Sequence, residues 1–340
     1  MFRKFTVGVL GGSGLLGQTY VHLLSNHPWF ELVFVGSTKK ATDYRALVEK
    51  TWLFDTAPPS LPVVSYDALP EVDLLFSTLP SEAAEQLEPL LAERGHHVIS
   101  HTSQFRADPL VPVVIPEINP HHLEVLPLQQ KEKKWKGWIV SKPNCTLPSF
   151  LLPLYPLLQC TPLHSLHITT LQARSGAGLQ ALQQQIPYEN VTPHIEGEER
   201  KTKTEPYKLL GSLTPKGIEP LCSFPIHAHC TRVPVPHGHL ATVTAHLVEK
   251  LSLEEVKALW KNVPTLPLPS APEPLFYLTD SPEPKTWAPK LGMSVAIGNI
   301  REEGNVLQFT GLCNNVHRGA SGGGIYIAEL LAQGGYLAST

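Results

Sequence analysis

The sequence predicts an α/β protein, with a doubly wound parallel sheet over residues 1–144 and a second domain over 145–317. Three observations predict it. Apolar runs alternate with helical patterns through the first third. A glycine-rich turn separates the first run from the first helical pattern. After Cys145, long β-branched segments with period-2 alternation replace the short continuous runs. A length of 340 residues also favours two domains over one.

The elements follow in order. FTVGVL (5–10) is a continuous apolar run, as a parallel strand buried on both faces requires. LLGQTYVHLLSNH (15–27) has helical spacing, and ELVFVGS (31–37) is a second strand. VDLLFSTLP (72–80) and HHVISHT (96–102) are strands around the helix SEAAEQLEPLLAERG (81–95). The charged run QQKEKKWK (129–136) reads as a solvated surface loop. LPSFLLPLYPLLQ (147–159) reads as a helix whose prolines sit near its start or kink it. HSLHITTLQA (164–173) and LATVTAHLVEK (240–250) suit an antiparallel or mixed sheet. Eight of the 33 prolines fall between Pro264 and Pro289, which predicts a long ordered loop with extended stretches. The tail from Arg318 is glycine-rich and then helical. Residues 318–340 are expected to pack back on the first domain.

Composition narrows the function. The formal net charge is -3 and 17% of residues are charged, which gives no footprint for nucleic acid or an anionic membrane. The five cysteines are odd in number and widely spaced without a CxxC, so neither a zinc site nor a disulfide framework is expected. Reduced thiols fit a cytoplasmic setting. No signal-peptide pattern precedes the first strand, and no apolar run reaches membrane-spanning length.

Gly11, Gly12, Ser13, Gly14, Leu15 and Gly17 lie between a strand and a helix. The spacing Gly12-x-Gly14-x-x-Gly17 matches a Rossmann-type dinucleotide fingerprint. Glycines let the backbone approach a pyrophosphate, and the helix start offers free N–H groups to it. At the end of the second strand, Ser37, Thr38, Lys39 and Lys40 stand without an acidic residue. Hydroxyls and ammonium groups suit a 2′-phosphate, hence NADP rather than NAD. An exposed polar loop with incidental lysines is the alternative.

Cys145 stands in Ser141-Lys142-Pro143-Asn144-Cys145-Thr146. It could be a buried filler, a disulfide half, a metal ligand or a nucleophile. The segment from Cys230 to His239 adds an arginine, a proline-bounded strand and a Gly-His turn. Arg232 suits a carboxylate, because its planar fork binds both oxygens. His239 suits proton transfer near neutral pH.

These residues resemble those of the aspartate-semialdehyde dehydrogenase family, over nearly the whole chain. Pro143-Asn144-Cys145-Thr146 resembles the family's nucleophile motif, and Gln172 to Gly178 its Gln-Ala-x-Ser-Gly-Ala-Gly segment. The resemblance implies Cys145 as nucleophile, Gln172 as substrate orienter and His239 as acid/base. Arg232 would hold the substrate carboxylate, and Glu198, or else Glu199, its amine. Asn144, Arg106 and Lys201 would hold phosphate. Ser175, Gly176 and Asn315 would lie against the cofactor. It also implies a homodimer or homotetramer formed through the second domain, a small-molecule substrate and a place in lysine, threonine and methionine biosynthesis. His237, Arg200 and Lys142 depart from the family pattern, and His237 is a second candidate for the acid/base role. N-acetyl-glutamyl-phosphate reductase shares the thioester logic but resembles Asn-Pro-Gly-Cys-Tyr at the nucleophile. The Ser-Cys-Thr-Thr-Asn signature of glyceraldehyde-3-phosphate dehydrogenase is absent. A silent NADP-binding regulator would have no chemical reason to keep Cys145, Gln172, Arg232 and His239 together.

Overall fold

The computed structural model describes residues 3–183 and 190–337. The chain divides into two compact units. The first comprises Met1–Pro143, Leu213–Glu219 and Gly324–Thr340; the second comprises Asn144–Ser212 and Pro220–Gly323.

The first unit is built on six parallel strands: β1 (Phe5–Leu10), β2 (Phe30–Gly36), β3 (Val63–Val64), β4 (Leu74–Ser77), β5 (His97–Ser100) and β6 (Trp138–Ser141). Their spatial order is β3-β2-β1-β4-β5-β6, with every neighbouring pair parallel. The winding direction reverses beside β1, where open α/β sheets bind ligands at the carboxyl ends of their strands. Helices α1 (Leu15–Leu24), α2 (Tyr44–Val48), α3 (Ser81–Arg94) and α4 (Leu126–Lys133) connect the strands. Helix α3 stops where Gly95 adopts a left-handed φ of 109° and its N–H returns to Ala92 and Leu91 carbonyls.

The charged run at 129–136 is not a loop. Most of it is the end of α4, and Gln129 is fully buried. Its side-chain amide donates to the Leu110 and Ile139 carbonyls and accepts the Ile139 N–H. Charge density in the run concealed this one inward glutamine.

The second unit carries another six-stranded sheet: β7 (Leu163–Gln172), β10 (Ile226–Arg232), β11 (His239–Leu247), β12 (Phe276–Leu278), β13 (Val295–Glu303) and β14 (Val306–Cys313). A separate short ribbon pairs β8 (Ser212–Thr214) with β9 (Gly217–Glu219). The large sheet has the order β10-β7-β11-β14-β13-β12 and is mixed. β10 runs parallel to β7, while β11 runs antiparallel to both β7 and β14. Alternation along β7 and β11 buries Leu166, Ile168, Val243 and Ala245 and turns His167, Thr169 and Thr242 outward. The remaining helices are α5 (Leu151–Leu158), α6 (Leu179–Gln183), α7 (Glu198–Leu209), α8 (Leu253–Lys261), α9 (Pro284–Leu291) and α10 (Gly322–Gln333).

The proline-rich stretch also differs from expectation. It contains β12 and the helix α9, which Pro284 starts at its first turn. There the missing proline N–H has no intrahelical partner to lose, so proline initiates rather than breaks. The helix expected from residue 147 begins as a 3₁₀ turn, Leu147–Ser149, before α5. Helix α10 contributes Ile325, Ile327, Ala328 and Leu331 to the core that also holds Val7, Tyr20 and Phe76. Residues 338–340 of the predicted tail lie outside the described residues. No helix among the described residues is long and apolar enough to cross a membrane.

Candidate active site

The first unit presents the glycine loop. Gly14 caps α1 in an extended conformation, and the first N–H groups of a helix have no intrahelical partner. A methyl on Gly17 would stand 2.4 Å from the Gly11 carbonyl oxygen, so the helix lies directly against the turn. At Gly14 a methyl would meet only the Gly11 oxygen, at 3.6 Å. Tight packing at Gly11, Gly12 and Gly17, with open space only at Gly14, fits a backbone turn that approaches a dinucleotide pyrophosphate closely. Ser37 is buried and its Oγ accepts the Lys39 N–H at 3.1 Å, while Thr38, Lys39 and Lys40 are exposed. The serine thus shapes the turn that displays the two lysines. Arg106 also belongs to this unit, and its Nη2 donates to the His101 carbonyl at 2.9 Å.

The second unit gathers the other predicted residues, and sheet register explains how. Gln172 and Arg232 are direct neighbours at the carboxyl ends of the parallel strands β7 and β10. β11 runs the other way and pairs Leu240 with Leu171, so His239 begins its strand at that same end. Three side chains far apart in sequence therefore emerge at one edge. Gly238, with a φ of 97°, makes the turn into β11, and its N–H donates to Asn315 Oδ1 at 2.9 Å. Asn315 Nδ2 also donates to Ser175 Oγ at 2.9 Å. The Asn315 amide is a strut between two turns of the site.

His239 is fully buried. Its Nδ1 accepts the Ala173 N–H at 3.0 Å, so a neutral ring carries its proton on Nε2. A methyl built on Gly176 would lie 2.7 Å from Arg232 Nη1 and 2.8 Å from His239 Nε2. Both groups close on the bare α-carbon of Gly176. Arg232 also donates through Nη1 to the Ala173 carbonyl at 2.7 Å. Burial pulls the guanidinium below its usual value, while Cys145, Glu198 and Cys230 pull it back up. Cys145 therefore lies within the field of this cation. His237 is half-buried beside Arg174, and burial and then that charge lower it.

Cys145 follows Asn144 into the 3₁₀ turn. It is a partly exposed free thiol; of the other free cysteines, Cys160 and Cys222 are exposed and Cys230 and Cys313 are buried. Asn144 Nδ2 donates to Glu198 Oε2 at 2.9 Å, and Gln172 Nε2 donates to the same oxygen at 3.1 Å. Lys201 Nζ reaches Glu198 Oε1 at 2.8 Å. Burial pushes the Glu198 carboxyl up. Lys201, then Gln172 and Asn144, outweigh it, and the net value falls below the ordinary carboxylate range. Glu198 is thus a charged hub for three predicted site residues. Glu199 instead pairs with the exposed His194 at 3.0 Å.

Two further residues belong to the site and were not foreseen. Gly319 presses on Cys145: a methyl there would stand 2.6 Å from the Cys145 carbonyl oxygen and 3.0 Å from its Cβ. Glu205, buried on α7, accepts the Asn144 N–H at 2.7 Å. Its signal was legible, because seven residues past Glu198 is two helical turns and the same face. No cluster of His, Cys, Asp and Glu that could hold a metal occurs among the described residues.

A dinucleotide-type loop in one unit, and in the other a cysteine beside an arginine, together with a tautomer-fixed histidine and a glutamine, are the parts of a nucleotide-dependent dehydrogenase. Residues 6–126 match the family model "Semialdehyde dehydrogenase, NAD binding domain", and residues 154–318 match "Semialdehyde dehydrogenase, dimerisation domain". The chain belongs to the semialdehyde dehydrogenase family. It is an oxidoreductase, and its first unit is the family's NAD(P)-binding domain. It is 36% identical to an aspartate-semialdehyde dehydrogenase of Archaeoglobus fulgidus, over 96% of this chain and 98% of that one. It is 31% identical to a malonyl CoA reductase (NADP) of Metallosphaera sedula, over 99% of each chain. Among solved structures, an aspartate semialdehyde dehydrogenase with NADP from Candida albicans superposes with a TM-score of 0.85 at 29% identity, over 97% of this chain and 99% of that one.

Proposed function

We propose that the chain catalyses the reversible, NADP-dependent reductive dephosphorylation of L-4-aspartyl phosphate to L-aspartate 4-semialdehyde through a thioester on Cys145. The observation that carries this reading is the meeting of Arg232 and His239 over Gly176, with Cys145 in the guanidinium field. Arg232 holds the substrate carboxylate in its planar fork. Gln172 and Asn144, both tied to Glu198, orient the acyl group, and Glu198 offers its carboxylate to the substrate amine.

The Cys145 thiolate attacks the acyl carbon, the bond to phosphate breaks, and the phosphate leaves with the electron pair. Lys201 and Asn144 bind it, and Arg106 is assigned to the same anion. The thioester divides one difficult reduction into two easier steps. When bound on the glycine loop, NADPH supplies the hydride. As the acid/base, His239 shares its Nε2 proton with the acyl oxygen through a hydrogen bond as charge gathers there, and keeps it when the tetrahedral adduct collapses to aldehyde and thiolate. Lys39 and Lys40 read the 2′-phosphate of the cofactor. Self-association is assigned to the second unit, which matches the family's dimerisation domain. The product places the enzyme in cytoplasmic synthesis of lysine, threonine and methionine.

The test is a phosphate-dependent assay of NADP reduction with aspartate semialdehyde, run beside N-acetyl-glutamate semialdehyde and beside NADPH oxidation by malonyl CoA. Mass spectrometry of the Cys145 peptide under turnover should find an aspartyl adduct. Faster turnover of either rival substrate, or active enzyme without the adduct, overturns the proposal.

A further inference from the structure

Helix α7 turns two carboxylates toward the nucleophile's turn, and the second, Glu205, has no part in the chemistry described above. It is only 6% exposed. A buried charged group is costly unless hydrogen bonds compensate it, so its position calls for a reason. The reason lies in what it holds. Glu205 Oε2 accepts the backbone N–H of Asn144 at 2.7 Å, short enough for a charge-assisted bond. Every other polar atom of Asn144 is also engaged. Nδ2 donates to Glu198, Oδ1 accepts the Thr146 N–H at 2.9 Å, and the carbonyl accepts the Leu147 N–H at 3.2 Å. Pro143, just before, has no N–H to give. The Asn144 amide is therefore the first backbone donor of the turn, and the Glu205 carboxylate receives it.

On the far side of Cys145, Gly319 stands against its carbonyl, which also accepts a long contact from Cys313 Sγ at 3.6 Å. Cys145 is thus held between a carboxylate clamp on the preceding residue and a bare α-carbon on its own backbone. We propose that Glu205 is a positioning residue for the Cys145 nucleophile, acting through its hydrogen bond to the Asn144 N–H. It touches neither substrate nor cofactor. Its effect is on where the sulfur sits relative to Gln172 and Arg232, so it belongs in kcat rather than in substrate binding. The inference rests on Cys145 being the nucleophile.

Three variants separate a clamp from a mere core residue. Glu205→Gln keeps the length and an accepting oxygen. Glu205→Asp keeps the charge but pulls it back by one methylene, and Glu205→Ala removes both. Losing a hydrogen bond to a charged group predicts a fall in kcat of about 10- to 100-fold for Asp and Ala. KM should stay within about threefold, and Gln should recover most of the rate. Hydrogen exchange of the peptide spanning Asn144–Thr146 provides a readout that needs no turnover. It should quicken in Asp and stay near the parent rate in Gln. Absence of activity in the parent enzyme would count against the proposed reaction and leave the exchange measurement to judge the clamp. Parent-like kcat in Glu205→Asp, or equal loss in Gln and Ala at parent-like melting temperature, overturns the positioning role.

Discussion

Gly176 is the sharpest place to perturb the site, because nothing but bare backbone separates Arg232 from His239 there. Gly176→Ala is allowed by the main chain, since Gly176 is not among the positive-φ glycines. The obstacle is steric. The new methyl would stand 2.7 Å from Arg232 Nη1, 2.8 Å from His239 Nε2 and 2.9 Å from His239 Cε1. Comfortable contact is about 3.5 Å, so something must move by about 0.7 Å. The imidazole is fully buried and its other nitrogen is tied to the Ala173 N–H. The arginine end is more flexible but is bonded to the Ala173 carbonyl. Misplacement of a catalytic group by about 1 Å costs about 100-fold. We therefore expect kcat/KM to fall by 10- to 100-fold on the same scale, with a stability loss of about 1–2 kcal/mol from overpacking. Steady-state phosphate-dependent NADP reduction, with a denaturant melt alongside, measures both. If the arginine yields, KM rises; if the histidine yields, kcat falls. A variant within threefold of the parent on both constants would show that the two groups do not converge on this α-carbon.

Gly319→Ala sets its methyl against Cys145 backbone rather than a side-chain tip. Backbone cannot swing aside, so kcat should drop about 100-fold or more; parent-like iodoacetamide labelling and turnover would refute the contact. Lys39→Ala with Lys40→Ala should weaken NADP binding about tenfold while leaving NAD binding nearly unchanged, as isothermal titration can read, and equal losses would remove the lysines from 2′-phosphate recognition. Glu88 is fully buried, and burial raises its carboxyl to about 7, partly countered by Ser100 and Ser77. A raised folded value means its stabilising share is complete below the unfolded value near 4.5 and fades as pH climbs toward 7. Glu88→Gln should accordingly gain stability over the parent by up to about 3 kcal/mol at pH 8 and by little at pH 4.5. A pH-independent difference between the two melting curves would contradict this.

The sequence by itself determined the alternation of the first unit, because parallel strands buried on both faces must be continuous apolar runs. It also announced the glycine turn, whose spacing gains its meaning from the strand before it and the helix after it. The alternating strands β7 and β11 were legible for the same reason, since period 2 is forced wherever one face is buried. The candidate residues Cys145, Arg232 and His239 could be named from their local patterns, and Gln172 from the resemblance of its segment to the family's. Their convergence could not, because it depends on strand register. A parallel β7–β10 pair beside an antiparallel β11 carries all three sheet residues to one edge, and pairing between distant segments leaves no local trace. Tertiary structure alone also decided the tautomer of His239, the saturation of Glu198 and the clamp from Glu205. Apart from the local Lys201–Glu198 pair, these are hydrogen bonds across tens of residues, set by packing geometry at the scale of an ångström, whereas patterns of hydrophobicity fix only which face of an element turns inward.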